Sequence, residues 1–156
     1  MTANTPSGAG CAARRDIAFA DTDADIADCF DAMGALRPRL ARETFVDRVR
    51  AMQAQGYRLV ALRVEGQVAC VAGFRLVDGL SRGRYLQIDE LATVPAQRRR
   101  GHAAALLHWL AAHARAQACA ALQLHSSYPR HAAHRLYLQQ GYVLHAHHFL
   151  LELGAD

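Results

Sequence analysis

The first half of the chain contains two stretches in which strand-forming side chains dominate. Residues 57–64 and 67–77 are rich in β-branched and other strand-forming residues, and Glu65-Gly66 between them is typical of a tight turn. These features predict a β-hairpin. Residues 16–20 are short and partly apolar, and they predict one earlier strand.

Helical spacing of apolar side chains appears between that first strand and the hairpin. It recurs over residues 25–33 and again over residues 42–55. Pro38 separates the two segments, and Gly56 ends the second one. We therefore predict two amphipathic helices ahead of the hairpin.

The second half predicts an alternation of strands and helices. The predicted elements are a strand over 84–93, a helix over 101–117, a strand over 120–125, a short helix over 130–140 and a final strand over 142–153. A long helix between two strands indicates that those strands are parallel. The predicted fold class is α/β, with a mixed central sheet flanked by helices in the order β-α-α-β-β-β-α-β-α-β.

Length and composition are those of a single enzyme-sized domain. The chain has 156 residues, of which 52% are hydrophobic, so we predict one domain over 15–156 behind a mobile tail over 1–14. Its four cysteines are far apart and form no Cys-x-x-Cys pair, which argues against a disulfide framework or a zinc knuckle and favours the cytoplasm. No segment resembles a signal peptide or a membrane span.

The basic character of the chain is modest, with a formal net charge of +4 and a pI of about 9.2. Its densest basic run is confined to residues 98–100, so we predict no nucleic-acid partner and no membrane partner. Nine histidines suggest metal binding, and His145 and His147 would share one face of the last strand. No Cys or carboxylate completes a ligand set there, and we expect no metal.

The basic run precedes a predicted helix and therefore suits an anion. Unpaired N–H groups and the helix dipole attract phosphate at a helix N-terminus, and Gly101 permits a close backbone approach. A Walker loop would need Gly-Lys-Ser/Thr, and a dinucleotide fingerprint would need three spaced glycines. Neither is present, so another phosphate-bearing cofactor is expected.

Two motifs resemble those of the GNAT superfamily of N-acetyltransferases. Arg98-Arg99-Arg100-Gly101-His102-Ala103 is similar to the family's acetyl-coenzyme A motif, Arg/Gln-x-x-Gly-x-Gly/Ala. The family's downstream pattern Ala-x-x-Leu-Tyr-x-x-x-Gly-Phe is matched by Ala133, Leu136, Tyr137, Gly141 and Tyr142. The first motif follows a predicted strand and opens a predicted helix, as the family requires.

The resemblance implies a site for acetyl-CoA between two parallel strands that splay apart. The pantetheine arm would pair with the strand end, and the loop amides would hold the pyrophosphate. The residues implied are Leu91, Ala92, Thr93, Arg98, Arg99, Arg100, Gly101, His102, Ala103 and Ala104. Arg99 and His102 replace smaller residues that are usual in the family, so the loop is bulkier than the norm.

Acetyl transfer needs a base, because an amine with a pKa of about 10 is protonated at neutral pH. The resemblance implies an acidic residue near the cofactor edge, and we favour Glu90, with Asp89 next. Adjacent strand residues point to opposite faces, so at most one is expected to face the substrate. In the alternative interpretation, both pair with arginines such as Arg84.

Tyr137 is the candidate acid, since a phenol can protonate a leaving thiolate. The motif implies that its hydroxyl lies near the cofactor sulfur, although Tyr137 also shares a helical stripe with Leu136 and could simply belong to the core. The backbone amide at Leu91 is a candidate oxyanion donor.

The predicted function is acetyl-CoA-dependent N-acetyl transfer to a primary amine of a small molecule or peptide, by direct transfer in a ternary complex. The alternative is a non-catalytic acyl-CoA-binding or regulatory module. The acceptor pocket is expected from residues 24–55 and the final strand. The charge of the acceptor stays open. Arg37, Arg39 and Arg42 suggest an anionic acceptor, whereas Asp28 and Asp31 suggest a cationic one. The C-terminal strand is the candidate interface of a homodimer.

Overall fold

In the computed structural model of the chain, residues 13–154 are described. Residues 1–12 of the predicted tail lie outside the described residues. The elements are β1 (Arg15–Phe19), α1 (Asp23–Asp28), α2 (Phe30–Leu36), α3 (Arg42–Gln53), β2 (Tyr57–Val64), β3 (Gln67–Gly79), β4 (Gly83–Thr93), a 3-10 turn (Pro95–Gln97), α4 (His102–Ala116), β5 (Ala121–Leu124) and α5 (His131–Gln139). None of these helices has the length and apolar character needed to cross a membrane.

The five strands form one mixed sheet in the order β1-β2-β3-β4-β5. Neighbours from β1 to β4 are antiparallel, whereas β5 is parallel to β4. The predicted hairpin turn is present, and both Glu65 (φ 49°) and Gly66 (φ 80°) have the positive φ that a tight two-residue turn requires. The predicted α/β fold with a mixed sheet is therefore confirmed.

Helices cover both faces of this sheet, which explains why its central strands are apolar at successive positions. In β2, Leu59 and Ala61 face a core shared with α1, α2 and α3. Val60 and Leu62 face the opposite core, which is shared with α4. We refer below to these as the α1–α3 face and the α4 face.

The first predicted helix is divided into two. Thr22 begins α1 with a capping box, in which its hydroxyl accepts from the backbone N–H of Asp25 at 3.1 Å. The helix ends at Asp28, and α2 starts at Phe30 after a break at Cys29. The break redirects α2 toward β3 and β4.

The predicted final strand over 142–153 is not formed, because residues 142–154 have no regular secondary structure. After Gly141, the N–H of Tyr142 still donates to the carbonyl of Tyr137 at 3.0 Å, but beyond it no backbone hydrogen bond joins this segment to the rest of the described chain. A strand is defined by its ladder, so strand-like side chains are insufficient without a partner edge. The proposed shared strand face of His145 and His147 is likewise absent.

Candidate active site

A β-bulge in β4 decides where the two candidate carboxylates point. Gly73 of β3 is opposite Glu90, and Phe74 is opposite Ile88, so Asp89 is left without a cross-strand partner. A bulge interrupts the strict alternation of side chains. The prediction that Asp89 and Glu90 face opposite sides is therefore wrong.

Contacts place both carboxylates on the α1–α3 face. Tyr57 donates its hydroxyl to Glu90 Oε2 at 2.9 Å. Arg75, which is directly opposite Tyr57 in the β2–β3 register, places its Nε 3.1 Å from Asp89 Oδ2. Neither partner is the Arg84 considered in the alternative interpretation.

Glu90 has a second donor and a restricted environment. An Arg37 guanidinium nitrogen lies 3.2 Å from Glu90 Oε1 and also contacts the Asp89 carbonyl at 3.4 Å. The Glu90 side chain is only 15% exposed. Burial, followed by the negative charge of Glu90, raises the pKa of Tyr57, so the phenol remains a donor. The arrangement orients the Glu90 carboxylate from two sides.

Gly73 makes the Tyr57–Glu90 contact possible. A Cβ at this position would overlap the Tyr57 hydroxyl and lie 2.6 Å from Glu90 Oε2. The absence of a side chain thus creates the space in which the phenol and the carboxylate meet. Gly73 and Tyr57 were not predictable as site residues, because neither belongs to a local motif.

Asp89 is half-buried and differs from Glu90 in its surroundings. Desolvation raises the pKa of its carboxyl, and the nearby Arg75 guanidinium opposes that effect. Its Oδ2 is buried against Arg75. Asp89 does not line either of the two cavities described next, whereas Glu90 lines one of them.

The first cavity, which we call the Glu90 cavity, has a volume of about 260 Å³ and lies between α2, α3, β2 and β4. Its lining combines an apolar surface with several charged groups: Met33, Arg37, Arg39, Leu40, Phe45, Arg48, Val49, Met52, Tyr57 and Glu90. Residues 142–154 do not contribute to this lining. The expectation that the last segment would help to form an acceptor pocket is therefore not met in this cavity.

The second cavity, which we call the loop groove, lies where β4 and β5 separate. Their parallel pairing ends at Ile88 and Leu124, yet β4 continues to Thr93. This leaves the last five residues of β4 without pairing to β5, as expected for strands that splay apart. The groove has a volume of about 700 Å³.

Nine of the ten predicted cofactor residues line the loop groove. They are Leu91, Ala92, Thr93, Arg98, Arg99, Gly101, His102, Ala103 and Ala104. Arg100 is the exception: its carbonyl accepts from the Arg15 side chain at 3.1 Å, which ties β1 to the outside of the loop. The opposite wall is formed by residues 129–139, including Tyr137.

The N-terminus of α4 opens into this groove without a side-chain cap. Gly101 occupies the cap position with φ 78°, and the first turn contains no acidic residue. Unpaired N–H groups at such an end attract an anion. Arg99 also has a positive φ of 62°, which is uncommon for a residue with a side chain. The loop backbone thus adopts a left-handed conformation at two positions.

Positive side chains surround the same opening. Arg98, Arg99, Arg130 and Arg135 line the groove, and no salt bridge occupies any of them within residues 13–154. Guanidinium groups bind phosphate oxygens in a bidentate manner. The groove therefore suits a ligand with more than one phosphate.

His102 is buried at the start of α4, with a relative exposure of 3%. Neither ring nitrogen has a hydrogen-bond partner in the described part of the chain. Burial lowers the pKa of His102, and the positive charges of Arg15 and Arg100 lower it further. The imidazole is therefore neutral at physiological pH.

Tyr137 on α5 lines the loop groove and also packs against the α4-face core, as does its neighbour Leu136. Burial raises the pKa of the Tyr137 phenol, and the charge of Arg130 partly offsets this. Its ring is 5.8 Å from that of Tyr142. The phenol therefore retains its proton throughout the neutral range.

Histidines do not assemble into a metal centre in the described residues. No group of three or more His, Cys, Asp or Glu side chains there could hold a metal ion. His145 contacts Arg82, and the ring of His148 lies 4.6 Å from that of His125.

Comparison with known proteins supplies the family. Residues 24–142 match the family model described as the acetyltransferase (GNAT) family. The chain belongs to this family. The resemblance predicted from the two motifs and the class of enzyme, an N-acetyltransferase, are thereby confirmed.

Similar solved structures support the fold at low sequence identity. An aminoglycoside N-acetyltransferase in complex with coenzyme A is 13% identical, with a TM-score of 0.79, covering 92% of this chain and 97% of its own. The same kind of enzyme in complex with a coenzyme A bisubstrate analogue is 14% identical, with a TM-score of 0.77 and coverages of 91% and 99%. A ribosomal-protein-alanine N-acetyltransferase from Brucella melitensis biovar Abortus is 19% identical, with a TM-score of 0.78 and coverages of 90% and 100%. A search of curated proteins gave no significant match.

Proposed function

We propose that the protein transfers an acetyl group from acetyl-CoA directly to a primary amine of a small molecule or peptide, in a ternary complex. The observation that carries this proposal is the juxtaposition of two sites on β4. Glu90 lines one cavity, and the next residue, Leu91, lines the loop groove. An amine and a thioester bound in these cavities would meet at the bulge.

Acetyl-CoA fits the chemistry of the loop groove. The uncapped end of α4 and the adjacent arginines would bind the phosphates. The exposed edge of Leu91, Ala92 and Thr93 would pair with the amides of the pantetheine arm. The solved relative with a coenzyme A bisubstrate analogue supports direct transfer as the mechanism for this chain.

Glu90 is the proposed base. It would accept a proton from the acceptor ammonium, directly or through one water, and the free amine nitrogen would attack the thioester carbonyl carbon. Tyr57 and Arg37 hold the carboxylate in position. Asp89 is a weaker candidate, since its Oδ2 is buried against Arg75 and it lines neither cavity. The Leu91 amide is the proposed donor to the tetrahedral oxyanion.

Tyr137 is the proposed acid. As the C–N bond forms and the C–S bond breaks, its hydroxyl would protonate the departing thiolate of coenzyme A. The attacking nitrogen would lose its second proton to solvent, and the phenol would regain its own proton from solvent. Its position in the loop groove and its raised pKa support this role. The nitrogen proton taken by Glu90 would leave to solvent after product release.

Cofactor binding is the first quantity to measure. Acetyl-CoA at a hundred times its dissociation constant should stabilise the native state by about 2.7 kcal/mol and raise Tm. An Arg98→Gln/Gly101→Ala variant should lose this shift, whereas Arg115→Gln, an exposed change at the far end of α4, should retain it. No shift in the wild type at millimolar acetyl-CoA would refute the proposal.

Variants of the proposed catalytic residues separate the enzyme from a non-catalytic acyl-CoA-binding module. Replacing Glu90, Asp89 and Tyr137 one at a time should reduce turnover while leaving the acetyl-CoA-induced shift in place. A wild type that binds acetyl-CoA but releases no coenzyme A thiol with any amine tested would favour the binding module instead.

We further propose that two copies associate through the C-terminal segment, residues 143–153. Six large apolar side chains are exposed there: Val143, Leu144, Phe149, Leu150, Leu151 and Leu153. The outer edge of β5 has no neighbouring strand in the described chain. Each copy thus offers both an open strand edge and a strand-like segment, and a two-fold pair would satisfy both reciprocally.

Light scattering after size-exclusion chromatography tests this association. The wild type should elute as a dimer, and Leu144→Glu/Leu150→Glu should shift it to a monomer, whereas Leu80→Glu, at an exposed apolar residue outside the segment, should not. A monomeric wild type at high concentration would refute the dimer.

A further inference from the structure

The charges around the Glu90 cavity indicate what kind of acceptor it takes. Sequence alone leaves two options, an acceptor with an anionic group or one with an additional cation. Most charged residues of α1, α2 and α3 are paired on the outer surface, and Glu43 and Asp47 are exposed outside the cavity. The cavity itself is lined by arginines of α3 and of the segment between α2 and α3. This distribution of charge decides between the two options.

The acidic residues of α1 and α2 are engaged away from the cavity. Asp31 pairs with Arg42, and Asp25 and Asp28 both pair with Arg63 at 3.1 and 3.0 Å. None of these three aspartates lines the Glu90 cavity. They therefore provide no site for an additional cationic group of an acceptor.

The arginines of the cavity are differently placed. Arg39 and Arg48 line it, and neither takes part in a salt bridge or a side-chain hydrogen bond within residues 13–154. Arg37 is shared with Glu90, the only carboxylate among the lining residues. Three arginines thus line a cavity that contains one carboxylate, leaving an excess of positive charge.

The remaining lining is apolar and the volume is small. Met33, Leu40, Phe45, Val49 and Met52 form the apolar part. A cavity of about 260 Å³ lies at or below the lower end of the range for drug-sized ligands. It suits a compact acceptor with a short apolar body.

We infer that the acceptor is a small primary amine that also carries a carboxylate or phosphate group, bound with its amine at Glu90 and its anion at Arg39 and Arg48. This inference rests on the proposed acetyl transfer and specifies its substrate class. Carboxylate and phosphate share the ability to accept paired hydrogen bonds from guanidinium. A polycationic amine would instead be repelled by the excess positive charge.

Matched amine pairs test the inference in the wild-type protein with acetyl-CoA, with coenzyme A thiol release as the readout. L-Methionine is compared with L-methioninamide for the carboxylate, and O-phosphoethanolamine with ethanolamine for the phosphate. We expect kcat/KM to be at least about ten-fold higher for the anionic member of one pair, by the strength of a charge-assisted hydrogen bond. The pair that shows the preference identifies the anion.

Arginine variants test whether the preference for anionic amines arises from the Glu90 cavity. Arg39→Gln/Arg48→Gln should reduce kcat/KM for the anionic amine by about ten-fold or more, with little change for its neutral partner. Arg42→Gln is the matched control, because Arg42 is on the same helix as Arg48 but is paired with Asp31 outside the cavity. The control should keep the wild-type preference.

A binding measurement keeps this inference separable from the proposed reaction. Isothermal titration of the anionic amine into the protein saturated with coenzyme A should show binding that the Arg39→Gln/Arg48→Gln variant loses. Such binding without any thiol release would support the anion site and contradict the acetyl transfer. Equal turnover of neutral and anionic amines, or a preference unchanged in the double variant, would overturn the inference while the acetyl transfer stands.

Discussion

The loop groove and the Glu90 cavity meet on β4 but are built in different ways. The core of the groove comes from one continuous stretch, from Leu91 to Ala104, and its key features are backbone features: an uncapped helix end and an open strand edge. The Glu90 cavity is formed by side chains from α2, α3, β2 and β4. A site made by the backbone of one segment leaves a sequence motif, whereas a site assembled from distant side chains does not.

The largest expected effect comes from Gly73→Ala, which perturbs the Glu90 cavity and not the loop groove. The added methyl group would displace Tyr57 from Glu90, and we expect a loss of about 1–3 kcal/mol in the free energy of unfolding, together with most of the turnover. Urea unfolding and thiol release measure the two effects. Gly34→Ala on α2, where the three atoms nearest to the new Cβ all belong to the Phe30 side chain, is the control and should fold normally. Wild-type behaviour of Gly73→Ala would show that the Tyr57–Glu90 contact is dispensable.

Glu90→Gln should separate the two sites functionally. Loss of the base should lower kcat by about 10²–10⁴-fold, because general base catalysis contributes about that much. The acetyl-CoA-induced rise in Tm should remain, since Glu90 does not line the loop groove. A normal kcat would indicate that Asp89 or water acts as the base instead of Glu90. The kcat of Asp89→Asn distinguishes these two possibilities.

Gly101→Ala perturbs the loop groove and leaves the Glu90 cavity intact. Its φ of 78° is costly for any residue with a Cβ, so we expect the variant to lose about 1–2 kcal/mol in the free energy of unfolding. The KM for acetyl-CoA should rise while kcat changes little, because the cavity around Glu90 is untouched. An equal loss in kcat would mean that the loop also positions the reacting groups.

The smallest expected effect concerns acid stability at the groove. The folded state lowers the pKa of His102 below its ordinary value of 6.5, so the unfolded chain binds more protons as the pH falls. The stability contributed by neutral His102 is therefore complete above about pH 6.5 and is lost as the pH falls below that value toward the lowered pKa. Between pH 7.5 and pH 5, the free energy of unfolding should decline less in His102→Leu than in the wild type. His113, whose pKa is also lowered by burial, should account for part of the remaining decline.

Most elements of the fold followed from local sequence patterns. Their existence and order were predictable because runs of strand-forming residues bounded by turn residues, as in the β2–β3 hairpin, and period-3.6 spacing, as in α4, are both present in the final structure. Two errors share one cause. The bulge at Asp89 and the missing strand after Gly141 both depend on what a neighbouring strand does, and a chain segment carries no record of its neighbour's register.

Sequence by itself determined the family and the loop that we propose to bind the cofactor phosphates, because the residues from Arg98 to Ala104 would act through backbone geometry that their own order sets. The tertiary structure alone decided which charges remain for a substrate. It paired Asp31 with Arg42 and left Arg39 and Arg48 on the cavity lining. Charge pairing depends on distances of a few ångströms between segments that are remote in sequence, and only the folded chain fixes those distances.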